Sequence, residues 1–383
     1  MKPARNWCRI IPLHFLRSYN YVLGIVKQKM MKTKLLPILL AMLFISITLQ
    51  AQDLKPIIND KLWGYKDSKG NIVVKPKYAQ TYNFVEGMGV VVLGDKRGVV
   101  DRTGKELVAP KYITLYDFSE GMAVVALTLD GKWGFINKTG KVSIPLQYEA
   151  ASSFKEGLAP VKQNGKWGYI DKSGKQVLPF LYEKAFAFWG GLASVTLNGK
   201  AGYIDKTGKV VIPLKYDIAY DFIGELATIS KDELLGFIDR TGKEIIPVKW
   251  QDARTFKEGL AAVLLDGFWG YIDKTGKMVI EPEYYNAGDF KEGLAAVSLN
   301  YRWGFIDKIG KVIIPVQYEK VGSFHEGLAA VANANYKWGF IDKAGKLVIP
   351  FQYDYTDDFL NGRATVEKDN KLFFIDKTGK AIK

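Results

Sequence analysis

The stretch "GLAAVLLDGFWGYIDKTGKMVIEP", from Gly259 to Pro282, contains the elements that decide the fold. Its first apolar run, "LAAVLL", is joined by Asp266-Gly267 to a second run, "FWGYID". Asp-Gly between two apolar runs is a strong hairpin signal, because glycine accepts the positive φ that a two-residue turn requires. After a second turn, "KTG", the run "KMVI" follows. The stretch therefore predicts three antiparallel strands.

Both turns recur elsewhere in the chain. Equivalent two-residue turns are predicted at Asp130-Gly131, Asn164-Gly165 and Asn198-Gly199. The second turn opens with Asp or Asn, whose side chain can accept from the amide two residues on, and closes with a glycine in the left-handed region. A proline follows, and we expect strand pairing to stop there, because proline has no amide hydrogen. These prolines are Pro76, Pro110, Pro145, Pro179, Pro213, Pro247, Pro282, Pro315 and Pro350.

The closing glycine of the second turn marks a repeat. Its spacing is 34 residues, except for one interval of 36 and one of 35. From Leu62 onward the chain contains nine complete units and a tenth partial one, which predicts one repeat domain over residues 52–383. The glycines are Gly70, Gly104, Gly140, Gly174, Gly208, Gly242, Gly276, Gly310, Gly345 and Gly379.

The pattern of apolar residues predicts how the units pack. In "LAAVLL" both faces of the strand are apolar, whereas a sheet with one wet face alternates apolar and polar residues. We therefore expect an all-β array of about nine to ten three-stranded antiparallel units, stacked face to face. Propellers typically close with four to eight blades. The unit number therefore favours an open, propeller-like superhelix, with a closed β-propeller as the alternative.

The N-terminal segment differs from the repeats. Residues 1–51 contain eight basic residues and no acidic one. From Met31, two lysines precede an apolar run of 15 residues that ends at Leu49, and Ala51 follows. This is the order of a secretory signal peptide, so residues 31–51 are predicted to be one. Residues 1–30 are then an upstream extension, with Met31 or Met30 as the true start. A retained membrane anchor stays open as an alternative.

The charge distribution argues against a nucleic-acid partner. The formal net charge is +14, but without residues 1–51 the chain holds 46 basic against 40 acidic residues, a net charge of +6. That value is ordinary for a soluble surface. Together with the predicted signal peptide, it indicates an exported protein that is periplasmic, attached to the cell surface or secreted.

The recurring phrase resembles a known family. "KWGFI", "KWGYI" and "RWGFI", followed by "DKTGK" and then "FxEGLA", are similar to the WG-repeat family of bacterial proteins, over roughly residues 62–383. The resemblance implies a β-rich scaffold with interaction roles, and it supplies no catalytic residues. This chain departs from the family pattern at four tryptophan positions, which hold Arg97, Ala201, Leu235 and Leu372.

The residues that carry chemistry in other proteins have structural interpretations here. Glycoside hydrolysis needs one differentiated pair of carboxylates, and calcium needs six to eight oxygens, so repeated single acids favour turns over catalysis or metal binding. His325 occupies a position that holds lysine in other units, which predicts a solvated surface side chain. We expect no catalytic residue, metal or cofactor. The recurring acids are Glu86, Glu120, Glu156, Glu258, Glu292 and Glu326.

Tryptophans that precede a glycine are predicted to fill the core between sheets rather than to form a sugar platform.

One irregular place stands out in the repeat pattern. Trp189 and, in the next unit, Ile223 occupy the position that holds Lys155 or Lys257 elsewhere. They are candidates for an exposed binding patch. The competing hypothesis, slightly preferred, is that Trp189 fills the space left by Ala201.

Three hypotheses for the function follow. The preferred one is a non-enzymatic scaffold of the bacterial envelope that binds a protein or an extracellular polysaccharide. The second is a glycan-acting envelope hydrolase, which would need two facing acids outside the repeated positions; no convincing pair is found. The third is a purely structural spacer.

Overall fold

The computed structural model describes residues 54–59 and 61–382. The predicted signal peptide and the upstream extension lie outside the described residues. The described residues form 39 strands, in ten antiparallel sheets that follow one another along the chain.

Sheets 1 to 5 have the following strands. Sheet 1 consists of β1 (Lys55–Asn59), β2 (Leu62–Lys66) and β3 (Ile72–Tyr78); sheet 2 of β4 (Gln80–Thr81), β5 (Met88–Leu93), β6 (Lys96–Asp101) and β7 (Glu106–Tyr112); sheet 3 of β8 (Thr114–Leu115), β9 (Met122–Ala126), β10 (Trp133–Asn137) and β11 (Val142–Tyr148); sheet 4 of β12 (Ala150–Ala151), β13 (Ala159–Gln163), β14 (Lys166–Ile170) and β15 (Gln176–Tyr182); sheet 5 of β16 (Lys184–Ala185), β17 (Ala193–Leu197), β18 (Lys200–Ile204) and β19 (Val210–Tyr216).

Sheets 6 to 10 continue the series. Sheet 6 consists of β20 (Ile218–Ala219), β21 (Leu226–Lys231), β22 (Leu234–Asp239) and β23 (Glu244–Trp250); sheet 7 of β24 (Asp252–Ala253), β25 (Leu260–Leu265), β26 (Phe268–Asp273) and β27 (Met278–Tyr284); sheet 8 of β28 (Asn286–Ala287), β29 (Leu294–Leu299), β30 (Arg302–Asp307) and β31 (Val312–Tyr318); sheet 9 of β32 (Lys320–Val321), β33 (Leu328–Ala332), β34 (Trp338–Asp342) and β35 (Leu347–Tyr353); sheet 10 of β36 (Tyr355–Thr356), β37 (Arg363–Lys368), β38 (Lys371–Asp376) and β39 (Ala381–Ile382).

The all-β repeat array is confirmed, but the unit has one more strand than expected. In sheets 2 to 10 a two-residue strand pairs with the first long strand, so the sheets are four-stranded rather than three-stranded. In sheet 7, for example, Asp252 pairs with Leu264 and Ala253 with Val263. The sequence gives no signal for this strand, because two paired residues are too short to show an apolar period.

The array closes on itself. Sheets 1 and 10 are in contact, since Arg363 Nη1 donates to the carbonyl oxygen of Pro56 at 2.8 Å and the rings of Trp63 and Phe374 meet edge to face at 5.7 Å. Ten sheets therefore form a ring, which is the propeller-like alternative, and the favoured open superhelix is wrong. The inference from blade number failed because the angle between adjacent sheets decides the closure, and sequence does not show that angle.

The core lies between adjacent sheets, as the apolar pattern predicts. Tyr271 of sheet 7 is fully buried with Phe290 and Val297 of sheet 8, and its hydroxyl donates to the carbonyl of Gly288 at 2.8 Å. Equivalent hydroxyl bonds cross to the next sheet from Tyr65 and Tyr169. Each sheet thus buries its two faces against its two neighbours, and the contacts made by one unit depend on the next one.

The glycine after each tryptophan is required by a close approach of the backbone. A Cβ on Gly270 would lie 2.5 Å from the carbonyl oxygen of Ile280 and 2.7 Å from the nitrogen of Pro282. The pairing of β26 with β27 shifts register around this point. The prolines therefore lie inside the seven-residue edge strands, beside the irregular pairing. The expectation that they end strand pairing is wrong, because an edge strand tolerates the missing amide hydrogen.

The predicted turns form, with one exception. Asp205 Oδ1 accepts from the amides of Thr207 at 2.9 Å and Lys209 at 3.1 Å, and Gly208 has a φ of +86°. Asn164, Asn198 and Asp266 have positive φ with the glycines that follow them. Gly131 does not have a positive φ, because that unit is longer and its turn instead closes with the Gly131 amide donating to the carbonyl of Thr128.

Candidate functional site

A recurring glutamate connects each sheet to the next. Glu292 Oε2 of sheet 8 accepts from the amide of Gly327 in sheet 9 at 3.0 Å and lies 3.0 Å from Lys343 Nζ of the same sheet. Lys343 also donates to the Glu292 carbonyl at 2.9 Å. The other ion pairs of this kind are Glu86–Lys138, Glu120–Lys172, Glu156–Lys206, Glu258–Lys308 and Glu326–Lys377. We call this set the glutamate ladder. The predicted structural role of these acids is confirmed, but it connects sheets rather than closing a local turn.

The ladder keeps its carboxylates ionised. For Glu292, partial burial raises the pKa, but the hydrogen bonds from Lys343 and the Gly327 amide outweigh it, so that the pKa is lowered overall. For Glu326 the hydrogen bond from Lys377 is the largest influence, and the pKa is again lowered. An acid that donates a proton in catalysis needs a raised pKa. These carboxylates have the opposite shift.

Two successive steps of the ladder lack the glutamate, and they coincide with the irregular units. Sheet 5 has Gly190 and sheet 6 has Gly224 at the glutamate position. At the first of these steps Arg240 takes the space: Nη1 donates to the Gly190 carbonyl at 3.0 Å and Nη2 to the Gly224 carbonyl at 3.3 Å. A Cβ on Gly190 would lie 2.6 Å from both of these guanidinium nitrogens.

Trp189 and Ile223 precede these glycines and face solvent. Their exposed fractions are 53% and 50%. The hypothesis that Trp189 fills the space beside Ala201 is therefore wrong. Ala201 is buried in a cluster against which Leu192 packs instead. The reason is backbone geometry: Trp189 bridges to Leu192 across the tight turn, and this directs Leu192 rather than Trp189 into the core.

Side chains at the position of Trp189 and Ile223 reach one another across adjacent sheets. In sheets 8 and 9 this position holds Lys291 and His325, whose Nζ and Nε2 atoms are 2.8 Å apart. His325 Nε2 is also 3.3 Å from a carboxylate oxygen of Asp358. The histidine is thus partly buried and has partners, so the prediction of a solvated histidine is wrong. Trp189 and Ile223 occupy this same position on the adjacent sheets 5 and 6.

A pocket of about 520 Å³ opens beside Ile223, between sheets 6 and 7. Leu235 lines it at a position where other units have tryptophan, with Phe256 and Arg254 on the opposite side. Pockets of about 530 and 550 Å³ open where Arg97 and Leu372 replace the tryptophan. Pockets are thus present at three of the four positions that lack the indole, but Ala201 lines none of them, and a further pocket of about 420 Å³ is lined by Trp63. Trp189 itself lines none of the pockets described here.

Four of the repeat tryptophans are buried in, or packed against, the core clusters. Trp269 is buried beneath the guanidinium of Arg254, which lies 5.2 Å from its ring centroid. Trp133, Trp167 and Trp338 are partly buried and pack against neighbouring core clusters. The predicted core role is confirmed for Trp269, whereas these three are half-covered at the margin of the core.

Metal-binding clusters and membrane-spanning helices are absent from the described residues. Among residues 54–59 and 61–382, no group of three or more His, Cys, Asp or Glu side chains is arranged to hold a metal ion. In the same part of the chain no helix is long and apolar enough to cross a membrane. The ladder contacts and the bond from Arg240 to Gly190 were missed from the sequence, because their partners are 34 to 52 residues apart and every unit offers similar residues.

Comparison with known proteins identifies the repeat. The family described as "WG containing repeat" matches nine consecutive segments, which are residues 63–96, 98–132, 133–167, 167–200, 202–234, 236–267, 269–303, 303–337 and 338–371. None of the curated proteins matches the sequence.

Solved structures show only distant likeness. BamB from Moraxella catarrhalis is 11% identical, with 78% of this chain and 96% of that chain covered and a TM-score of 0.38. Hsv2 from Kluyveromyces lactis is 9% identical, with 67% of this chain and 94% of that chain covered and a TM-score of 0.36.

Proposed function

The chain belongs to the WG-containing repeat family, and from that premise we propose that it is an exported, non-enzymatic scaffold of the bacterial envelope that binds a protein partner through sheets 5 to 7. A ring of repeats is suited to a binding scaffold, because each unit can vary its surface while the inter-sheet contacts stay constant. Export is supported by the composition of residues 31–51 alone.

The observation that carries the proposal is the exposure of Trp189 and Ile223, on adjacent sheets, at a position that holds lysine in three of the other units. An exposed tryptophan is typical of the energetic centre of a protein interface, and the exposed isoleucine at the equivalent position of the next sheet adds further apolar surface. A sugar-binding platform relies on aromatic faces, and the aliphatic neighbour therefore favours a protein over a polysaccharide.

The ladder supports a non-enzymatic role. Its six glutamates share the same kinds of contact, a lysine and the backbone amides of the next turn, and the pKa of each is lowered. A hydrolase needs two carboxylates whose environments push their pKa values apart. None of the six is distinguished from the others in this way.

Site-specific crosslinking tests the binding surface. A photoreactive residue at position 189 or 223, and a control at position 155, would be introduced in the producing cells, and the crosslinked partner identified by mass spectrometry. With that partner purified, Trp189→Lys and Ile223→Lys should each weaken binding at least about ten-fold, the scale of losing an interface anchor. Equal crosslinking from position 155, unchanged affinity in both variants, or capture of a glycan would each overturn the proposal.

The proposed export from the cytoplasm is tested separately. Mass spectrometry of the native N-terminus, together with cell fractionation, should find a product that begins near Gln52 outside the cytoplasm. An intact chain that begins at Met1 in the cytoplasm would contradict export.

A further inference from the structure

The glutamate ladder defines a carboxylate position between adjacent sheets. Wherever the glutamate is present, its carboxylate meets the amides of the next sheet's turn and the lysine of that sheet's second turn. Backbone amides and an ammonium group together form a binding site for one negative charge. The position is built by the sheet that receives the carboxylate, not by the sheet that supplies it.

Between sheets 6 and 7 the receiving half is complete and the carboxylate is missing. Gly224 stands where the glutamate belongs, and a Cβ added to it would meet nothing within 4 Å. Sheet 7 retains the turn amides of Glu258 and Gly259 and the lysine, Lys274. Within the part of the chain that the structure describes, no residue accepts from the Gly259 amide and none pairs with Lys274.

The place is open to solvent. A pocket of about 370 Å³ is lined by Gly224, Glu225, Glu258, Gly259 and Lys274, with Ile223, Leu226 and Phe256 as its apolar walls. Gly259 is exposed, whereas the equivalent Gly293 and Gly327, which each donate to a ladder glutamate, are partly covered. Backbone donors, a lysine and open space therefore coincide here, and neither Glu225 nor Glu258 of the lining places its carboxylate on the Gly259 amide or on Lys274.

The preceding step shows that loss of the glutamate can be repaired internally. Between sheets 5 and 6, Arg240 replaces the lysine and fills the position by bonding two carbonyl groups. Between sheets 6 and 7 the lysine is kept and no such repair occurs. Of the two acids that line the pocket, Glu258 pairs with Lys308 of the next step, and Glu225 has a side chain that is 89% exposed and lies 3.9 Å from Arg240.

We propose that this position binds a carboxylate of the partner, in the form of a glutamate side chain on an acidic peptide segment with an apolar neighbour. The proposal rests on the proposed function, since Ile223 belongs to both surfaces. A glutamate is the occupant because it is the group that fills the same geometry at six other steps. Ile223 and Phe256 then receive the apolar side chain next to it.

The test uses a blocked peptide, Phe-Lys-Glu-Gly-Leu-Ala, which copies residues 290–295, and the same peptide with Gln for Glu. Binding to the full chain is followed through the NMR signal of the Gly259 amide. The Glu peptide should shift that signal and should bind at least ten-fold more tightly than the Gln peptide, with binding that weakens as salt is added. Acetate and glucuronate serve as probes for other sources of a carboxylate.

Three variants make the result specific. Gly224→Glu should fill the position from within and abolish binding, and it should fold, because ladder glutamates have the same positive φ that Gly224 has. Lys274→Gln should weaken binding at least ten-fold. Lys343→Gln is the matched control and should leave binding unchanged, because Glu292 already occupies its carboxylate position.

Failure of the carboxylate site and failure of the proposed function give different results. Equal binding of the two peptides, an unmoved Gly259 signal, or full binding by Gly224→Glu would overturn the carboxylate site. Tighter binding of glucuronate than of the Glu peptide would replace the peptide with an acidic polysaccharide. If the peptide binds as expected while Trp189→Lys and Ile223→Lys leave the crosslinked partner's affinity unchanged, the site stands and the proposed function fails.

Discussion

Removal of one ladder glutamate tests whether these contacts stabilise the ring. Glu292→Ala deletes an ion pair with Lys343 and a hydrogen bond from the Gly327 amide, both at 3.0 Å. Alanine keeps the Cβ, so the strain of the positive φ at this position is unchanged. The change in the free energy of unfolding therefore reports the contacts of the carboxylate.

The expected loss of stability follows from the solvent exposure of the two side chains in the ion pair. The two side chains are 31% and 46% exposed, so the ion pair falls in the range of about 0.2–1 kcal/mol measured for surface pairs. A hydrogen bond to a charged group contributes about 1.5–3 kcal/mol when buried, and partial exposure reduces it to roughly 1 kcal/mol. Glu292→Ala should thus destabilise by about 1–2 kcal/mol.

Thermal melting and urea unfolding measure the total, and hydrogen exchange locates it. The Gly327 amide should lose protection, since its acceptor is gone. The matched control is Glu225→Ala, whose side chain is 89% exposed and outside the ladder; it should change stability by less than about 0.5 kcal/mol. Adding Lys343→Ala to Glu292→Ala should cost only the hydrogen bond from Lys343 to the main-chain carbonyl of residue 292, because the ion pair is already broken. Equal effects of Glu292→Ala and Glu225→Ala would refute the stabilising role of the ladder.

Other predictions concern pH, glycine and tryptophan. The pKa values of the ladder glutamates are lowered in the folded chain, so their contribution to the free energy of unfolding is complete above about pH 5. This contribution is lost as the pH falls below the pKa of the unfolded chain and then through the lowered pKa of the folded chain. Urea midpoints should therefore decline from about pH 5 downward, and they should decline less in a Glu292→Gln variant. Gly174→Ala should cost about 1 kcal/mol through its φ of +84°, with the loss spreading to adjoining sheets in hydrogen exchange; an unchanged melting temperature would contradict this. Gly270→Ala should cost more, roughly 1–3 kcal/mol, because its Cβ meets backbone atoms; a smaller loss than at Gly174 would oppose this explanation. Trp189→Ala should leave the melting temperature nearly unchanged, and a large decrease would restore the void-filling hypothesis.

The local features of the fold were predictable because they depend on neighbouring residues. Asp205 and Gly208 belong to one turn of five residues, and their chemistry specifies the turn wherever it recurs. The same reasoning failed at Asp130-Gly131, where two extra residues in the unit make a longer connection. A dipeptide predicts a turn only when the lengths of the flanking strands also agree.

Features that join different units were not predictable. Closure depends on contacts such as that of Arg363 with Pro56, which are 307 residues apart, and on a small angle that accumulates over ten sheets. The partner of Glu292 was equally hidden, since every unit offers a similar lysine and a similar glycine. In a regular repeat, the sequence shows that a contact recurs but not which unit completes it.

The regularity of the array makes its exceptions informative. A solitary glycine such as Gly224 has no meaning in a sequence without repeats, because nothing states what the position normally does. Here six equivalent positions define it as the place of a carboxylate. The sheet that follows Gly190 exchanged its lysine for Arg240, while the sheet that follows Gly224 kept Lys274 and gained no internal partner for it. Stability alone gives no reason to keep an unpaired ammonium group beside free amides, whereas an external carboxylate does.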